Sequence, residues 1–282
     1  MLIQSDWHIH SEYSFDAPLS LAQITETANE YGFKKIGITD HANYNDESFL
    51  GDLDRSATNV TEWSRTHQNV VLGVELTPIE KPEFDYIAIH GTSDGFVPPP
   101  TDKPYDIELA QTKEQLVARG VRYAIGAAHW RVDSPVFRHW ESLAASDIHT
   151  LIKEFHRQQL WLACDERVTI LGHPWHISHQ AWYQDFSFIP RSMNEELAAA
   201  LKENRKFVEC NGQLMCHPRA TERFRRQYAE FIRELFEMGI PVTYGSDTHS
   251  KYEDFHLQME AHLRAVGFVE GDFSELTDEH LW

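Results

Sequence analysis

The chain has 282 residues, of which 41% are apolar and 12% aromatic, enough to fill the core of one large α/β domain. Its formal charge of −19 disfavours nucleic acid as a routine partner, because binding to the phosphate backbone requires a cationic surface. No run of about 18 apolar residues is present, so we expect no membrane span. No basic and apolar leader precedes the first strand-like residues, which predicts a cytoplasmic location.

Short β-rich runs alternate with longer helical patterns along the chain. A capping box formed by Ser20 and Gln23 predicts a first helix that ends near Tyr31, before Gly32. Further helices are predicted over about 58–66, 107–119, 147–166, from a second capping box at 192–195, over 222–238 and over 255–266. This alternation gives seven βα units and predicts a parallel sheet with helices outside it.

Two segments, about 77–104 and 176–190, interrupt the alternation and are predicted to be insertions over the active face. The first is expected to hold a β-hairpin whose second strand, Tyr86-Ile87-Ala88-Ile89, ends at His90. The second is rich in aromatic residues. Because a single α/β barrel typically has about 250 residues, residues 1–282 are expected to form a single domain with these two insertions.

The predicted strands end in residues that can bind metal ions. His8 and His10 stand at strand positions i and i+2, which point to the same side, so both can bind one ion. The ends of later strands carry His41, Glu75, His129, His173, and Asp247 with His249. An open sheet would fit the alternation equally well, but it gathers its site at one switch point. Here both terminal strands contribute, so we predict a closed α/β barrel with a metal site at the carboxyl ends of its strands.

Individual roles follow from side-chain chemistry. The carboxylate of Glu75 can bridge two cations. Asp6 and Asp40 adjoin candidate ligands but point elsewhere, and are interpreted as partners that orient imidazoles. By spacing alone, Asp16 is an ordinary turn residue.

The histidine that follows Glu75 in the barrel has two candidates, His90 and His129. Only 15 positions separate Glu75 from His90, a spacing that suits a hairpin. The interval from Glu75 to His129 contains a predicted helix and can return a parallel strand to the same rim. We therefore favour His129.

Five residues in loops or near the active face are candidates for substrate contacts. They are Arg131, His176, Arg191, His217 and Arg219.

Taken together, the strand-end motifs resemble those of the polymerase and histidinol phosphatase (PHP) superfamily. The motifs are His8-Ile9-His10, Thr39-Asp40-His41, Gly73-Val74-Glu75, Gly172-His173-Pro174, Glu209-Cys210-Asn211 and Gly245-Ser246-Asp247-Thr248-His249. The resemblance spans residues 6 to about 250 and includes no polymerase domain, as in the stand-alone, histidinol-phosphatase-like branch.

The resemblance implies a distorted (β/α)7 TIM-like barrel with a trinuclear metal centre. It assigns His8, His10, Glu75 and Asp247 to a first ion, Glu75, His129 and His173 to a second, and Asp16, His41 and His249 to a third. It thereby raises Asp16 from a turn residue to an expected ligand, and it makes Glu75, Asp247 and His249 the expected catalytic residues. Up to three divalent ions are expected. Zinc suits the histidine-rich sites, while Mn²⁺ or Fe²⁺ also fits sites rich in carboxylates.

The predicted function is hydrolysis of a small phosphate ester, most simply by a histidinol-phosphatase-like phosphomonoesterase in which the ions activate water and neutralise phosphate charge. One alternative is a nucleotide phosphodiesterase or nuclease at the same site. Another is a metal-binding module without turnover. An amidohydrolase is disfavoured, because its bridging group is often a modified lysine and no lysine stands at a strand end here. The sequence indicates neither the substrate nor the oligomeric state.

Overall fold

Parallel strands form the centre of the protein, which a computed structural model describes over residues 1–97, 99, 104–129, 148–177 and 182–282. The strands are β1 (Ser5–Ile9), β2 (Lys35–Ile38), β3 (Val70–Leu72), β4 (Val74–Leu76), β5 (Ile79–Glu80), β6 (Ile107–Glu108), β7 (Ala124–Gly126), β8 (Ile170–Leu171), β9 (Phe207–Asn211) and β10 (Val242–Gly245).

These strands close into a barrel. One parallel sheet has the order β1-β2-β3 and a second has the order β10-β9-β8-β7-β4. They are joined because β3 and β4 are two halves of one stretch around Gly73, the first paired with β2 and the second with β7. The other seam closes where the backbone N–H of Asp247 donates to His8 (2.8 Å) and that of His10 donates to Thr248 (3.0 Å). The predicted α/β barrel is therefore confirmed, with β3 and β4 sharing one of its seven positions.

Side chains fill the barrel interior, as in other barrels of this type. The hydroxyl of Tyr123 donates to the carbonyl of Trp7 (2.6 Å), which anchors the phenol ring inside the barrel. Gly37 and Gly73 make room for this ring, since a Cβ at Gly37 would lie 1.7 Å from the hydroxyl and one at Gly73 would lie 2.5 Å from the ring.

Helices surround the strands. They are α1 (Leu21–Tyr31), α2 (Glu47–Ser64), α3 (Lys81–His90), α4 (Lys113–Ala118), α5 (Ile148–Cys164), α6 (Arg191–Glu203), α7 (Gly212–Met215), α8 (Glu222–Glu237), α9 (Phe255–Gln258) and α10 (Glu260–Ala265), with 3-10 turns at Trp182–Gln184 and Phe186–Phe188. The predicted capping box of α1 is present, and Gly32 ends that helix in the left-handed conformation (φ 75°).

Three predicted helix boundaries were wrong. Helix α2 begins much earlier than expected, because Asp46 caps it by accepting from two backbone N–H groups of the first turn. The segment 107–119 begins as strand β6, and its helix starts only after the cap at Thr112. Helix α6 starts at Arg191, directly after Pro190 and without a side-chain cap, so the box at 192–195 lies inside the helix.

The predicted hairpin ending at His90 was also wrong, because residues 81–90 form helix α3. Pro82 lies in the first turn, where a missing N–H costs little. Glu83 and Ile87, one turn apart, are buried while Ile89 is 77% exposed, which is the burial pattern of a helix face. The preceding β5 pairs antiparallel with β6 instead.

None of the helices in the described residues is both long enough and apolar enough to cross a membrane.

Candidate metal centre

The buried carboxylate of Glu75 lies among histidines at the carboxyl ends of the strands. The side chain is 1% exposed. Its oxygens approach ring nitrogens of five imidazoles, those of His8 (3.7 Å), His10 (3.5 Å), His41 (2.7 Å), His129 (3.4 Å) and His173 (3.2 Å). The five come from the ends of four different barrel strands. This is the arrangement expected of a carboxylate that bridges cations.

Three of these imidazoles are held in the same way, with Nδ1 engaged by a neighbouring side chain and Nε2 facing Glu75. The three contacts are His8 Nδ1 to Glu209 Oε1 (2.7 Å), His10 Nδ1 to Ser14 Oγ (3.1 Å) and His129 Nδ1 to Thr77 Oγ1 (2.8 Å). Engagement of Nδ1 fixes the ring orientation and leaves the Nε2 lone pair available to a metal ion.

Asp247 is the second buried carboxylate of the group. Its Oδ1 lies 3.6 Å from Nε2 of both His8 and His10, and 3.6 Å from Nδ1 of His249. Its Oδ2 accepts a hydrogen bond from the amide of Asn211 (3.2 Å). Asp247 therefore lies against the His8–His10 pair, on the side from which His249 also approaches.

Asp16 joins His41 and His249 on the more open side of the cluster. Its Oδ2 lies 3.4 Å from Nε2 of His41 and 3.6 Å from Nε2 of His249. The rings of His10 and His249 stack with centroids 4.1 Å apart. In the part of the chain that the structure describes, candidate ligand atoms within 4.8 Å of one another form the groups His10–His41–His249, His8–His10–Glu75, Glu75–His129–His173 and His173–His176–Asp247.

The charges of the cluster are strongly interdependent. Burial alone would raise the pKa of Glu75, but the imidazoles of His129 and His41 hold it well below its usual range. Burial would lower the pKa of His41, yet the carboxylates of Glu75 and Asp16 outweigh it and raise the pKa to about 10. Burial, together with the neighbouring His41 and His249, lowers the pKa of His10 to about 4. The carboxylates thus favour their ionised, ligating form.

The nitrogen and oxygen atoms of the cluster are arranged to bind divalent cations rather than to hydrogen-bond with one another. Glu75 Oε2 and His41 Nδ1 lie 2.7 Å apart without hydrogen-bond geometry, and neither atom has another hydrogen-bond partner within the described part of the chain. Nε2 of His8 and Nε2 of His10 face each other at 3.1 Å, although both Nδ1 atoms are already engaged. Buried lone pairs that converge in this way are costly unless a cation lies between them. Imidazole and carboxylate donors suit Zn²⁺, Mn²⁺ and Fe²⁺.

Backbone strain accompanies the cluster. His173 (φ 22°) and Asp247 (φ 56°) both occupy the left-handed region, which is unfavourable for residues other than glycine. Such conformations persist where surrounding contacts hold a functional side chain in place.

The predicted roles of Asp6 and Asp40 need correction. Within the described residues, Asp6 contacts no imidazole. It accepts hydrogen bonds from the backbone of His8 and Ser246 and from the hydroxyl of Tyr252, so it ties β1 to β10. Asp6 and His8 are two residues apart, but the register of β1 with β2 shifts between Asp6 and Ile9, so the regular alternation of a strand does not hold here.

Asp40 acts on an imidazole only through a serine. The hydroxyl of Ser14 donates to Asp40 Oδ1 (2.9 Å) and lies 3.1 Å from Nδ1 of His10. Asp40 also accepts from the hydroxyls of Ser11 and Ser56, and so fixes the loop that follows β1.

The carboxylate that directly orients an imidazole is Glu209, a role that the sequence reasoning did not assign. A Cβ at Gly245 would lie 1.8 Å from Oε1 of Glu209, so only glycine at this position lets Glu209 reach His8. One signal was available in the sequence. A glutamate within the apolar strand β9 must be buried, and a buried carboxylate requires a partner.

Three of the candidate substrate residues lie together in loops beside the cluster. Nε2 of His176 lies 3.3 Å from the hydroxyl of Tyr183, and its ring centroid is 5.1 Å from that of His173. The ring of His217 stacks on Tyr183 at 3.9 Å, and Nδ1 of His217 accepts from the backbone N–H of Arg219 (3.1 Å). Tyr183, which the sequence reasoning did not single out, connects these residues.

Of the other two arginine candidates, one lies away from the cluster and one lies outside the described residues. Arg191 is exposed, pairs with Glu195 on its own helix (2.9 Å) and lines a groove with the end of α8, so its predicted contact with substrate is not supported. Arg131 lies outside the described residues, as do 98, 100–103 and 178–181 of the two predicted insertions.

The structure brings His129, and not His90, to Glu75. His90 is the exposed last residue of α3, where its ring packs against that of Tyr86 with centroids 4.1 Å apart.

The PHP domain family model matches residues 6–213 of this sequence. The chain belongs to the PHP domain family. Asp247 and His249 lie beyond the matched range, but closure of β10 onto β1 places them in the same cluster. As a PHP protein with this buried set of donors, the chain is a metal-dependent hydrolase.

Solved structures agree with this fold. Histidinol phosphate phosphatase from Lactococcus lactis, crystallised with zinc, L-histidinol and phosphate, aligns with a TM-score of 0.61 and 16% identity, covering 99% of this chain and 98% of that chain. At this identity the likeness shows the fold alone. A Xaa-Pro dipeptidase (TM-score 0.40, 10% identity, 94% and 70% coverage) and an amidohydrolase from Chromobacterium violaceum (0.38, 14%, 92% and 96%) align more distantly. No curated protein sequence matches the chain.

Proposed function

We propose that this PHP protein hydrolyses small phosphate monoesters at a centre of up to three divalent ions. The observation that carries the proposal is the approach of five imidazoles to the two oxygens of Glu75. Zinc is the expected metal, and Mn²⁺ or Fe²⁺ also fits the donors. The proposed ligand sets are His8, His10, Glu75 and Asp247 for the first ion, Glu75, His129 and His173 for the second, and Asp16, His41 and His249 for the third.

The bound ions would supply Lewis acidity and the positive charge that a phosphate ester requires. The side chains of the protein hold the proposed metal ligands in place. Glu209, Ser14 and Thr77 each engage one Nδ1 atom and so hold an imidazole at a fixed orientation. Phosphoryl transfer depends mainly on such positioning and on charge neutralisation, so a rigid, buried set of side chains suits this reaction.

Hydrolysis requires two proton movements. Water attacks phosphorus and loses a proton, the ester P–O bond breaks, and the departing alcohol gains a proton. We assign the first proton to Asp247, whose Oδ1 faces both His8 and His10. The departing alcohol takes the second proton from solvent, and His249, a proposed ligand that is 24% exposed, lies on the side of the cluster that opens to solvent.

The loops beside the cluster would hold the substrate. His176, His217 and Arg219, gathered around Tyr183, are the proposed contacts. A formal charge of −19 supports a small substrate rather than long nucleic acid. We also propose that residues 1–282 form one domain, because strands near both ends of the chain close the same barrel.

A panel of phosphate esters tests this function. Protein reconstituted with Zn²⁺ or Mn²⁺ should release phosphate from monoesters, and L-histidinol phosphate belongs in the panel because the Lactococcus protein is a histidinol phosphate phosphatase. Cyclic nucleotides and bis(p-nitrophenyl) phosphate, which are diesters, should be poor substrates. Faster hydrolysis of the diesters would favour a phosphodiesterase, and release from neither class by fully metal-loaded protein would contradict the proposal.

A further inference from the structure

We infer that Phe15 determines substrate specificity, by packing its exposed ring against a planar ring in the alcohol part of the phosphate ester. This inference rests on the proposed function and adds a substrate class to it. Phe15 is 66% exposed, and it is the one aromatic side chain among the large apolar residues that are exposed in the described ranges. Single exposed apolar residues are common, so the argument depends on where this ring lies and how it is held.

The ring of Phe15 lies directly beside the candidate metal centre. It stacks on the imidazole of His41, with centroids 5.2 Å apart and an interplanar angle of 27°. Its neighbour in sequence, Asp16, reaches both His41 and His249. One short turn therefore places a carboxylate in the third ligand group and a phenyl ring next to it. A group that packs on Phe15 lies within a few bonds of an ester oxygen held at that side of the cluster.

The ring is also held in a fixed position. Its edge meets Phe49 at 5.9 Å, and Phe49 in turn meets Tyr44 at 5.0 Å. Tyr44 belongs to a small apolar cluster with Ile79 and Ile87, against which Phe49 packs. The exposed ring is thus the outer end of an aromatic row that begins in a buried cluster, so little conformational entropy is lost when a ligand packs on it.

The turn that carries Phe15 is itself ordered. The backbone N–H of Ser14 donates to Ser11 (2.9 Å), that of Ala17 donates to Ser14 (3.3 Å), and that of Glu12 donates to Leu19 (2.8 Å). These bonds fix the backbone on both sides of Phe15, which keeps the ring at the edge of the cluster.

The chemistry of the exposed ring selects a planar partner. Aromatic rings gain an offset-stacked or edge-to-face interaction beyond simple burial of area, whereas a saturated ring of the same size gains burial alone. The difference corresponds to about a threefold to tenfold preference. We therefore expect phosphate esters of aryl or heteroaryl alcohols, with the ring close to the ester oxygen, to be preferred.

Benzyl phosphate and cyclohexylmethyl phosphate form the test pair, because both are esters of primary alcohols of similar size and differ mainly in planarity. The metal-loaded enzyme should have about a threefold to tenfold higher kcat/KM for the benzyl ester, expressed mainly in KM. Phe15→Leu keeps apolar bulk, should lose this preference, and should bind as much metal as the native protein. Val117→Ala, a change at an exposed apolar residue of α4, is the matched control and should retain the preference.

Calorimetric binding of benzylphosphonate and cyclohexylmethylphosphonate to the metal-loaded protein gives a readout without turnover. The same preference is expected, and Phe15→Leu should abolish it. Equal binding of the two phosphonates by the native protein, or a preference that survives in Phe15→Leu, would overturn the inference while leaving the phosphatase proposal intact. Binding of neither phosphonate, together with hydrolysis of neither ester, would overturn the proposed function and the inference with it.

Discussion

Nδ1 of His8 lies 2.7 Å from Oε1 of Glu209, and both side chains are buried. The other oxygen of Glu209 accepts from the backbone N–H of His173 and from the amide of Asn211 (3.1 Å). Asn211 also donates to Asp247. One carboxylate that faces no ion in the proposed assignment therefore holds three proposed ligands in place.

Glu209→Gln should weaken metal binding without removing a proposed ligand. The amide keeps the shape but not the charge that orients His8, and loss of such a partner typically costs about 10- to 100-fold in metal affinity. Titration with Zn²⁺ against a competing chelator measures the change. Glu230→Gln, on the exposed surface of α8, is the control and should bind metal as the native protein does. Equal affinities for all three proteins would show that Glu209 has no such role.

Much of the candidate site could be predicted from the residues at the ends of the strands. His8, His10, Glu75 and His173 follow apolar runs, and parallel strands of a closed barrel must bring such positions together. Asp16 had no such signal, because a turn aspartate is common. The resemblance to the PHP superfamily indicated it as a ligand, and the fold places its turn against His41.

The residues that orient the ligands could not be found from spacing. Thr77 contacts His129 across 52 positions of the chain, and Glu209 contacts His8 across 201. Such pairs depend on which strands are neighbours and on the room left by Gly245. The helix α3 was missed because its sequence alternates apolar residues locally, while the burial of Glu83 and Ile87 follows a helical period.

His173→Ala should abolish phosphatase activity and lower the metal content, because it removes a proposed ligand that lies 3.2 Å from Glu75. His262→Ala should change neither, since His262 lies on α10 near Glu222 of α8. Phosphate release and elemental analysis on the same preparations provide the comparison. If the two variants behave alike, the strand-end argument is wrong.

His129 and His90 offer a direct contrast. His129→Ala should lower both metal content and activity, because Nε2 of His129 faces Glu75 at 3.4 Å. His90→Ala should match the native protein, since the His90 ring packs against Tyr86 at the end of α3. Metal analysis of the purified variants distinguishes them, and a larger loss in His90→Ala would reverse the assignment.

Glu80, which is not part of the metal cluster, should make the stability of the protein depend on pH. Burial, reinforced by the nearby Glu154, raises its pKa to about 7 from an ordinary value of 4.5. The folded state therefore holds a proton that the unfolded state releases, so stability is lost as the pH rises from about 4.5 to about 7. Glu80→Gln should raise the free energy of unfolding by on the order of 1 kcal/mol at about pH 8.

Urea unfolding of native protein and variant at the same pH measures this difference. The gain should shrink toward zero as the pH falls below about 4, because both states then hold most of the proton. A gain of the same size at both pH values would indicate a packing effect rather than the ionisation of Glu80.

The metal content of the reconstituted protein tests the central claim most directly. After removal of bound metal and incubation with excess Zn²⁺ or Mn²⁺, followed by desalting, elemental analysis should find two to three equivalents per chain, because two of the three proposed ligand sets share Glu75 and the third lies beside them. Less than one equivalent under every reconstitution condition would contradict the assignment of this cluster as a multinuclear metal centre.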